Sequence, residues 1–257
     1  MSEEQCIPLA LLEGFAEVWT TLAGGSWERL KIPSGHLVLW TSPEGRRESL
    51  PDRMYGCAAT RLSSQDLKAF PAGVPINLAP GAWAEGAHVH AFGHQLAAGT
   101  RDEAWSALKR VGRQGVLKAQ RLGCRVLDAD VASYHAIASL TAERLGGQPP
   151  HPDLVPVLRR VFGDEAVTIS GVWVADQLAA AVLSVHLEGY GMLIDGSSDR
   201  QHWDKNPNNL AVWSAMGALL DSGCRRIDYG FSPPGAGDLR FKAHMGGHEV
   251  PLYRIRM

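Results

Sequence analysis

Asp228, Ser232, Arg240 and Lys242 fall within one short stretch, Asp228-Tyr229-Gly230-Phe231-Ser232-Pro233-Pro234-Gly235-Ala236-Gly237-Asp238-Leu239-Arg240-Phe241-Lys242. A carboxylate and two cations around a Gly- and Pro-rich loop are groups that move protons and hold negative charge. Asp228, at a strand end before a glycine, can act as a base or orient a substrate amine; a carboxylate there equally caps the following loop. Lys242 offers a cation, although by type alone it reads as a surface lysine on a short helix. Tyr229, Ser232 and Arg240 offer wall hydrogen bonds, with a purely structural reading open for each. Trp203, His202, Asn208 and Asn209 precede or open a helix, where backbone N–H groups favour anions. A capped helix start with an anchored tryptophan is the other reading of those four.

Lys109, Arg110, Arg113, Lys118, Arg121 and Arg125 form a basic run without an acidic residue. Such a run can grip nucleic-acid phosphates, with Arg113, Lys118 and Arg121 as the candidate contacts, or it is a solvated helix face. His88, His90 and His94 share a strand-like spacing. They lack a complete ligand set, so no metal site is assigned. No P-loop, G-x-S-x-G or dinucleotide fingerprint occurs in the chain.

The elements that must position these residues are legible from their periodicity. Asn206 and Pro207 open a helix with a capping side chain and a preset φ, and Val212, Met216, Leu219 and Leu220 form its apolar stripe up to Gly223. Residues 226–229 read as a buried strand, 230–237 as irregular, and a short helix carries Arg240 to Lys242. Helix, strand, loop, helix, strand is an α/β unit whose ligands gather beyond the strand ends. Upstream, a helix is expected over 8–22, a strand over 36–41 and weaker strands over 55–62 and 74–78, while 79–99 carries no clear pattern. Residues 101–123 read as one long helical region. Gly112 and Gly115 each weaken it by about 1 kcal/mol, so a bend or break is expected there. Then come a strand at 126–129, helices at 131–145 and 153–162, and three antiparallel strands at 166–174, 177–187 and 190–195. The fold class is α/β, mixed sheets with flanking helices.

At 257 residues the chain can form one large domain or two small ones, and a formal net charge of -2 gives it no global attraction to nucleic acid. Any RNA contact must use a local patch, and no DNA partner is expected. No apolar run is long enough to span a membrane, and the opening residues are acidic where a secretory signal is basic. The four cysteines are dispersed. Free thiols in a reducing cytoplasm are therefore expected.

The order G-C-R, D-Y-G-F-S, a Gly-rich loop, R-F-K and the closing G-G-x-E-x-P-L-Y resembles the Fem-like branch of the GNAT acyltransferase superfamily. V-L-K-A-Q-R-L-G-C-R-V and T-A-E-R-L-G-G-Q-P resemble the same pattern, so the resemblance covers about residues 100 to 257. It implies two GNAT-like halves: a degenerate N-terminal half, 1–121, and an acyltransferase domain, 122–257. It also implies transfer of an aminoacyl or other acyl group onto an amine. Lys242 stands where the family motif has a lysine, near the tetrahedral oxyanion or a donor phosphate. No tightly bound cofactor is implied, and the donor is an aminoacyl-tRNA or an acyl-CoA. The acceptor would be a small-molecule or sugar-nucleotide amine. Neither Gly196–Arg200 nor Asn206–Asn209 makes the Q/R-x-x-G-x-G/A loop of CoA-using members. That departure favours aminoacyl-tRNA, with a CoA-dependent N-acyltransferase or an inactive binding scaffold as the alternatives.

Overall fold

A computed structural model of the protein describes residues 7–49, 63–78 and 86–256. In chain order the elements are α1 (Leu9–Ala23), β1 (Ser26–Ile32), β2 (Gly35–Thr41), β3 (Arg47–Ser49), α2 (Ser64–Lys68), β4 (Pro75–Asn77) and β5 (His88–Ala97). There follow α3 (Arg101–Ala107), α4 (Arg110–Arg121), β6 (Arg125–Asp128), α5 (Val131–Leu145), α6 (Leu154–Phe162), β7 (Val167–Val174), β8 (Gln177–Leu187) and β9 (Tyr190–Ser198). The last are α7 (Pro207–Asp221), β10 (Arg226–Ser232), α8 (Asp238–His244) and β11 (His248–Arg256). The class is the mixed α/β expected. The weak strand expected at 55–62 lies outside the described residues.

Two compact units result. One comprises Met1–Gly93, Phe231–Ala236 and Glu249–Met257; the other comprises His94–Gly230 and Gly237–His248. The expected division at residue 121 falls between α4 and β6, inside the second unit. In the first unit β1, β2 and β3 make an antiparallel sheet that buries Leu37, Val38 and Leu39. The apolar face of α1, with Leu11, Leu12 and Phe15, is likewise removed from water. Segment β4 pairs antiparallel with the end of β11.

The second unit is built on β7, β8 and β9, an antiparallel series with β6 on its outer edge and β10 parallel to β9. Helix α7 packs on this sheet and is buried on nearly every side, with Leu210, Ala211, Ala215, Met216 and Leu219 all at 2% exposure or less. Strands β7 and β8 are buried in nearly continuous runs and need such a cover, because a sheet face left in water forfeits roughly 25 cal/mol per Å² of apolar area.

Three expectations are corrected here. The long helical region breaks at Leu108 and Lys109, both extended, rather than at its glycines. Gly112 and Gly115 stay helical because neighbours press against them: a Cβ on Gly112 would lie 2.2 Å from the His244 carbonyl oxygen, and one on Gly115 would lie 2.5 Å from the Asn209 side chain. Asn206 provides no side-chain cap to α7. The chain reaches it from a tight turn at Arg200–Lys205, which puts Asn206 in the left-handed region at φ 57°, its N–H donating to the Trp203 carbonyl. Finally, β10 runs on through Gly230, Phe231 and Ser232, which the composition had marked as irregular.

Candidate active site

The centre of the second unit is the end of the β9–β10 pairing. These parallel strands are in register only from Arg226–Tyr190 to Asp228–Met192, although both continue further. At the same level β9 carries a bulge: Ser184 of β8 faces Leu193, but Leu183 faces Asp195, so Ile194 is the extra residue. Bulges bend a strand and sharpen its twist. On the other side, Gly230 takes φ 66°, a left-handed conformation that turns β10 out of regular extension. Beyond these pairs β9 and β10 are out of register, and within the second unit a wedge opens at Tyr229 and Gly230 of β10.

Asp228 is the hinge of that wedge. It is fully buried, and its Oδ1 accepts the Gly230 N–H at 2.7 Å. Its Oδ2 accepts from the Tyr190 hydroxyl at 2.5 Å and from Gln95 Nε2 at 3.0 Å, while Gln95 Nε2 also donates to Tyr190 at 2.9 Å. A buried carboxylate needs such donors to stay in the fold. The loop-capping reading of Asp228 is thus realised, and its partners Gln95 and Tyr190 are residues that sequence spacing could not connect. Tyr229, one residue on, is buried as well; its hydroxyl donates to the Met245 carbonyl at 2.8 Å, and burial pushes its pKa up. It ties β10 to the end of α8.

Lys242 lies on α8 with its side chain at 14% exposure, and its ammonium stands 3.2 Å from Asp238 one turn earlier. Its carbonyl accepts the Gly247 N–H at 3.1 Å. Arg240, on the same helix, is exposed. Burial, followed by the charges of Arg240 and Lys109, lowers the pKa of His244. Ser232 closes β10 within the first unit and is 2% exposed.

Trp203, in the turn before α7, remains 41% exposed. Its indole N–H donates to the Ser198 hydroxyl at 3.0 Å. Arg144 and Arg200 reach over its ring, 4.8 and 5.8 Å from the centroid. Asn208 and Asn209 open α7, where Asn209 fills the groove at Gly115 and donates to the Met245 sulfur at 3.4 Å. The basic run divides. Arg113 turns back and donates to the Leu108 and Ser106 carbonyls, closing the end of α3, and Arg125 donates to the Ala175 carbonyl at 2.7 Å. Lys118 is half-buried, whereas Arg110 and Arg121 stay exposed on α4.

In the first unit, His90 Nδ1 stands 3.0 Å from the Leu252 carbonyl, and burial, then the nearby Arg254, lower its pKa. Among the described residues no cluster of three His, Cys, Asp or Glu side chains could hold a metal ion. Cys124 and Cys224 are free and buried; burial pushes the Cys224 thiol up to about 11. No helix among the described residues is long and apolar enough to cross a membrane.

Residues 98–243 match the family model described as an acetyltransferase (GNAT) domain. No curated protein sequence matches the chain. Among solved structures it is similar to FemX, with a TM-score of 0.68 at 12% identity over 100% of this chain and 96% of that one. It is also similar to the C-terminal domain of a putative lysylphosphatidylglycerol synthetase from Agrobacterium fabrum (TM-score 0.61, 10% identity, 95% and 88% covered). A third likeness is to a tandem GNAT protein from the clavulanic acid biosynthesis pathway (TM-score 0.52, 10% identity, 86% and 78% covered).

Proposed function

Because the chain belongs to the GNAT acetyltransferase-domain family, we propose that its second unit moves an aminoacyl or other acyl group onto an amine, with aminoacyl-tRNA as the donor. The observation that carries this reading is the divergence of β9 and β10 beyond Met192 and Asp228. Backbone N–H and C=O groups on two parting edges need partners. A linear acyl donor laid between them supplies those partners and brings its carbonyl to fixed donors.

In the proposed reaction the amine nitrogen attacks the acyl carbon, the donor oxygen or sulfur leaves, and the proton lost by the amine goes to that leaving atom. Lys242 supplies positive charge for the tetrahedral oxyanion or for a donor phosphate. Its pairing with Asp238 holds the ammonium in one place. Asp228 acts as a positioning residue: it fixes Gly230, and with it the mouth of the wedge. Arg240, Asn208 and Asn209 are proposed to meet substrate, and Tyr229 and Ser232 to shape the strand that carries it.

The aminoacyl-tRNA donor is supported by the segment between β9 and α7, which has a tight turn with Arg200 and Lys205 in place of a Q/R-x-x-G-x-G/A loop. Lys118 and Arg121 are the proposed RNA contacts, with Arg113 shaping the helix that bears them. The second reading, a CoA-dependent N-acyltransferase, is favoured by the acetyltransferase description of the matched family. Incubation with charged tRNAs and with acyl-CoAs, each with a panel of small-molecule and sugar-nucleotide amines, tests both. Consumption of a charged tRNA supports the first, consumption of a thioester the second, and neither donor being consumed overturns the transferase.

A further inference from the structure

The stretch from Ser106 to Leu127 carries six cations and no acidic or aromatic residue, in a chain whose formal net charge is -2. Its helix, α4, buries Gly112, Gly115, Val116 and Ala119. Gly112 lies against the His244 carbonyl and Gly115 against Asn209, so this row faces α8 and α7. At about 3.6 residues per turn, the opposite side of α4 presents two neighbouring rows at the surface. One runs Val111, Lys118, Leu122 and the other Arg110, Leu117, Arg121. Val111, Leu117 and Leu122 are 55%, 53% and 44% exposed, large aliphatic side chains that the fold leaves uncovered. Val126 of β6, 44% exposed, adds to them. It stands opposite Val172, which belongs to the core under α7, and α4 packs on α7, so Val126 lies on α4's side of the sheet. Arg113 and Arg125 are turned to carbonyl groups. Among the described residues Arg110, Lys118 and Arg121 meet no carboxylate.

Each row therefore interleaves aliphatic and cationic side chains, and that mixture selects among partners. The centre of a protein–protein interface is depleted of charge. Nucleic-acid phosphates take the cations but leave aliphatic groups unused, and bases stack on aromatic rings, which this stretch lacks. An anionic lipid bilayer takes both. Aliphatic groups sink below the headgroups, while the long Lys and Arg stems reach back to the lipid phosphates. We propose that the outer face of α4, continued by Val126, docks the protein on an anionic membrane surface. The 12-residue helix lies along the bilayer plane and does not cross it. Its apolar area is small, so the contact is reversible and needs the anionic charge. Lys118 and Arg121 are also the proposed RNA contacts, so RNA and lipid exclude each other at α4, and the aliphatic residues tell the two apart. The inference goes beyond the transferase reading and does not depend on it.

Flotation of the full chain with vesicles of phosphatidylcholine, alone or with about one-third phosphatidylserine, tests the surface without any turnover. The protein should float with the anionic vesicles only, and less of it should do so as salt rises. Leu117→Gln and Leu122→Gln should each weaken the partition about three- to tenfold, the range for a leucine with roughly half its side chain left to bury. Lys118→Ala should weaken it about fivefold. Should a Leu117→Gln, Leu122→Gln double variant fail to fold, as judged by its melt, the single variants and Lys118→Ala carry the test. No flotation at millimolar anionic lipid, equal flotation with neutral vesicles, or a folded double variant within twofold of wild type overturns the proposal. A parallel titration with an RNA hairpin separates the two uses of α4. Vesicle binding without RNA binding would remove the RNA contacts and keep the membrane surface, and RNA binding without vesicle binding would do the reverse.

Discussion

Gly112→Ala reverses the usual expectation for a helical glycine. By propensity alone, alanine at a helix interior position gains about 1 kcal/mol over glycine. The structure sets a larger effect against it. The added Cβ would lie 2.2 Å from the His244 carbonyl oxygen, 3.0 Å from the carbonyl carbon and 3.5 Å from the Met245 sulfur. Two of those three atoms are backbone, and that backbone is held by the Lys109 N–H donating to His244 O and by Tyr229 donating to Met245 O. It cannot rotate aside, so α4 and α8 must move apart. Overpacking of this kind costs about 1–3 kcal/mol, and so hard a contact belongs at the upper end. The net loss is about 2 kcal/mol, a fall in Tm of roughly 4–8 °C for a unit of this size. Gly115→Ala provides the internal control. Its Cβ meets only the Asn209 side chain, which can turn away by giving up its contact with Met245, so the net change should lie within about 1 kcal/mol of zero. Thermal melts of both variants against wild type decide the matter. A Gly112→Ala protein as stable as wild type, or more so, would refute the argument that close packing rather than flexibility put glycine there.

Lys242→Ala should leave the melt nearly unchanged and lower transfer at least tenfold, about 1.4 kcal/mol of transition-state stabilisation; wild-type turnover would remove Lys242 from the reaction. In tRNA titrations at two salt concentrations, the double variant Lys118→Ala, Arg121→Ala should flatten the log–log slope by about 1.4, from two lost contacts at about 0.7 each. An unchanged slope would place the RNA elsewhere. Asp66 governs acid stability in the first unit: burial raises its pKa, but the Ser63 hydroxyl and the N–H groups of Ser63 and Ser34 outweigh this and lower it to about 2. A depressed carboxylate stabilises the fold fully above its unfolded pKa, near 4, and loses that contribution as pH falls towards 2. Asp66→Asn should therefore lose stability at pH 7 and flatten the pH dependence between 4 and 2; a parallel, unshifted acid curve would contradict the assignment.

Local pattern was enough for much of this protein. The helices at 131–145 and 207–221 and the strand at 177–187 could be read from periodicity and their Gly or Pro boundaries, because those signals act within a few residues. The motif order from Gly223 to Tyr253 was likewise enough to point to the family, since it lies in the chain itself. What the sequence could not determine depends on residues far apart along it. Gln95, Tyr190 and Asp228 meet only when β5, β9 and β10 are laid side by side, so the burial of Asp228 and its two side-chain donors are invisible to spacing, whereas its cap on Gly230, two residues on, could be read locally. The glycines of α4 looked like weak points because propensity is a local average. Packing against His244 and Asn209, over a hundred and nearly a hundred residues away, made them points of closest approach. Arg113 read as one cation in a row until the break at Leu108 gave it carbonyls to bind. Charge, apolar period and turn chemistry are written in the chain; which polar groups are left to face a ligand is decided by what tertiary contact has already satisfied.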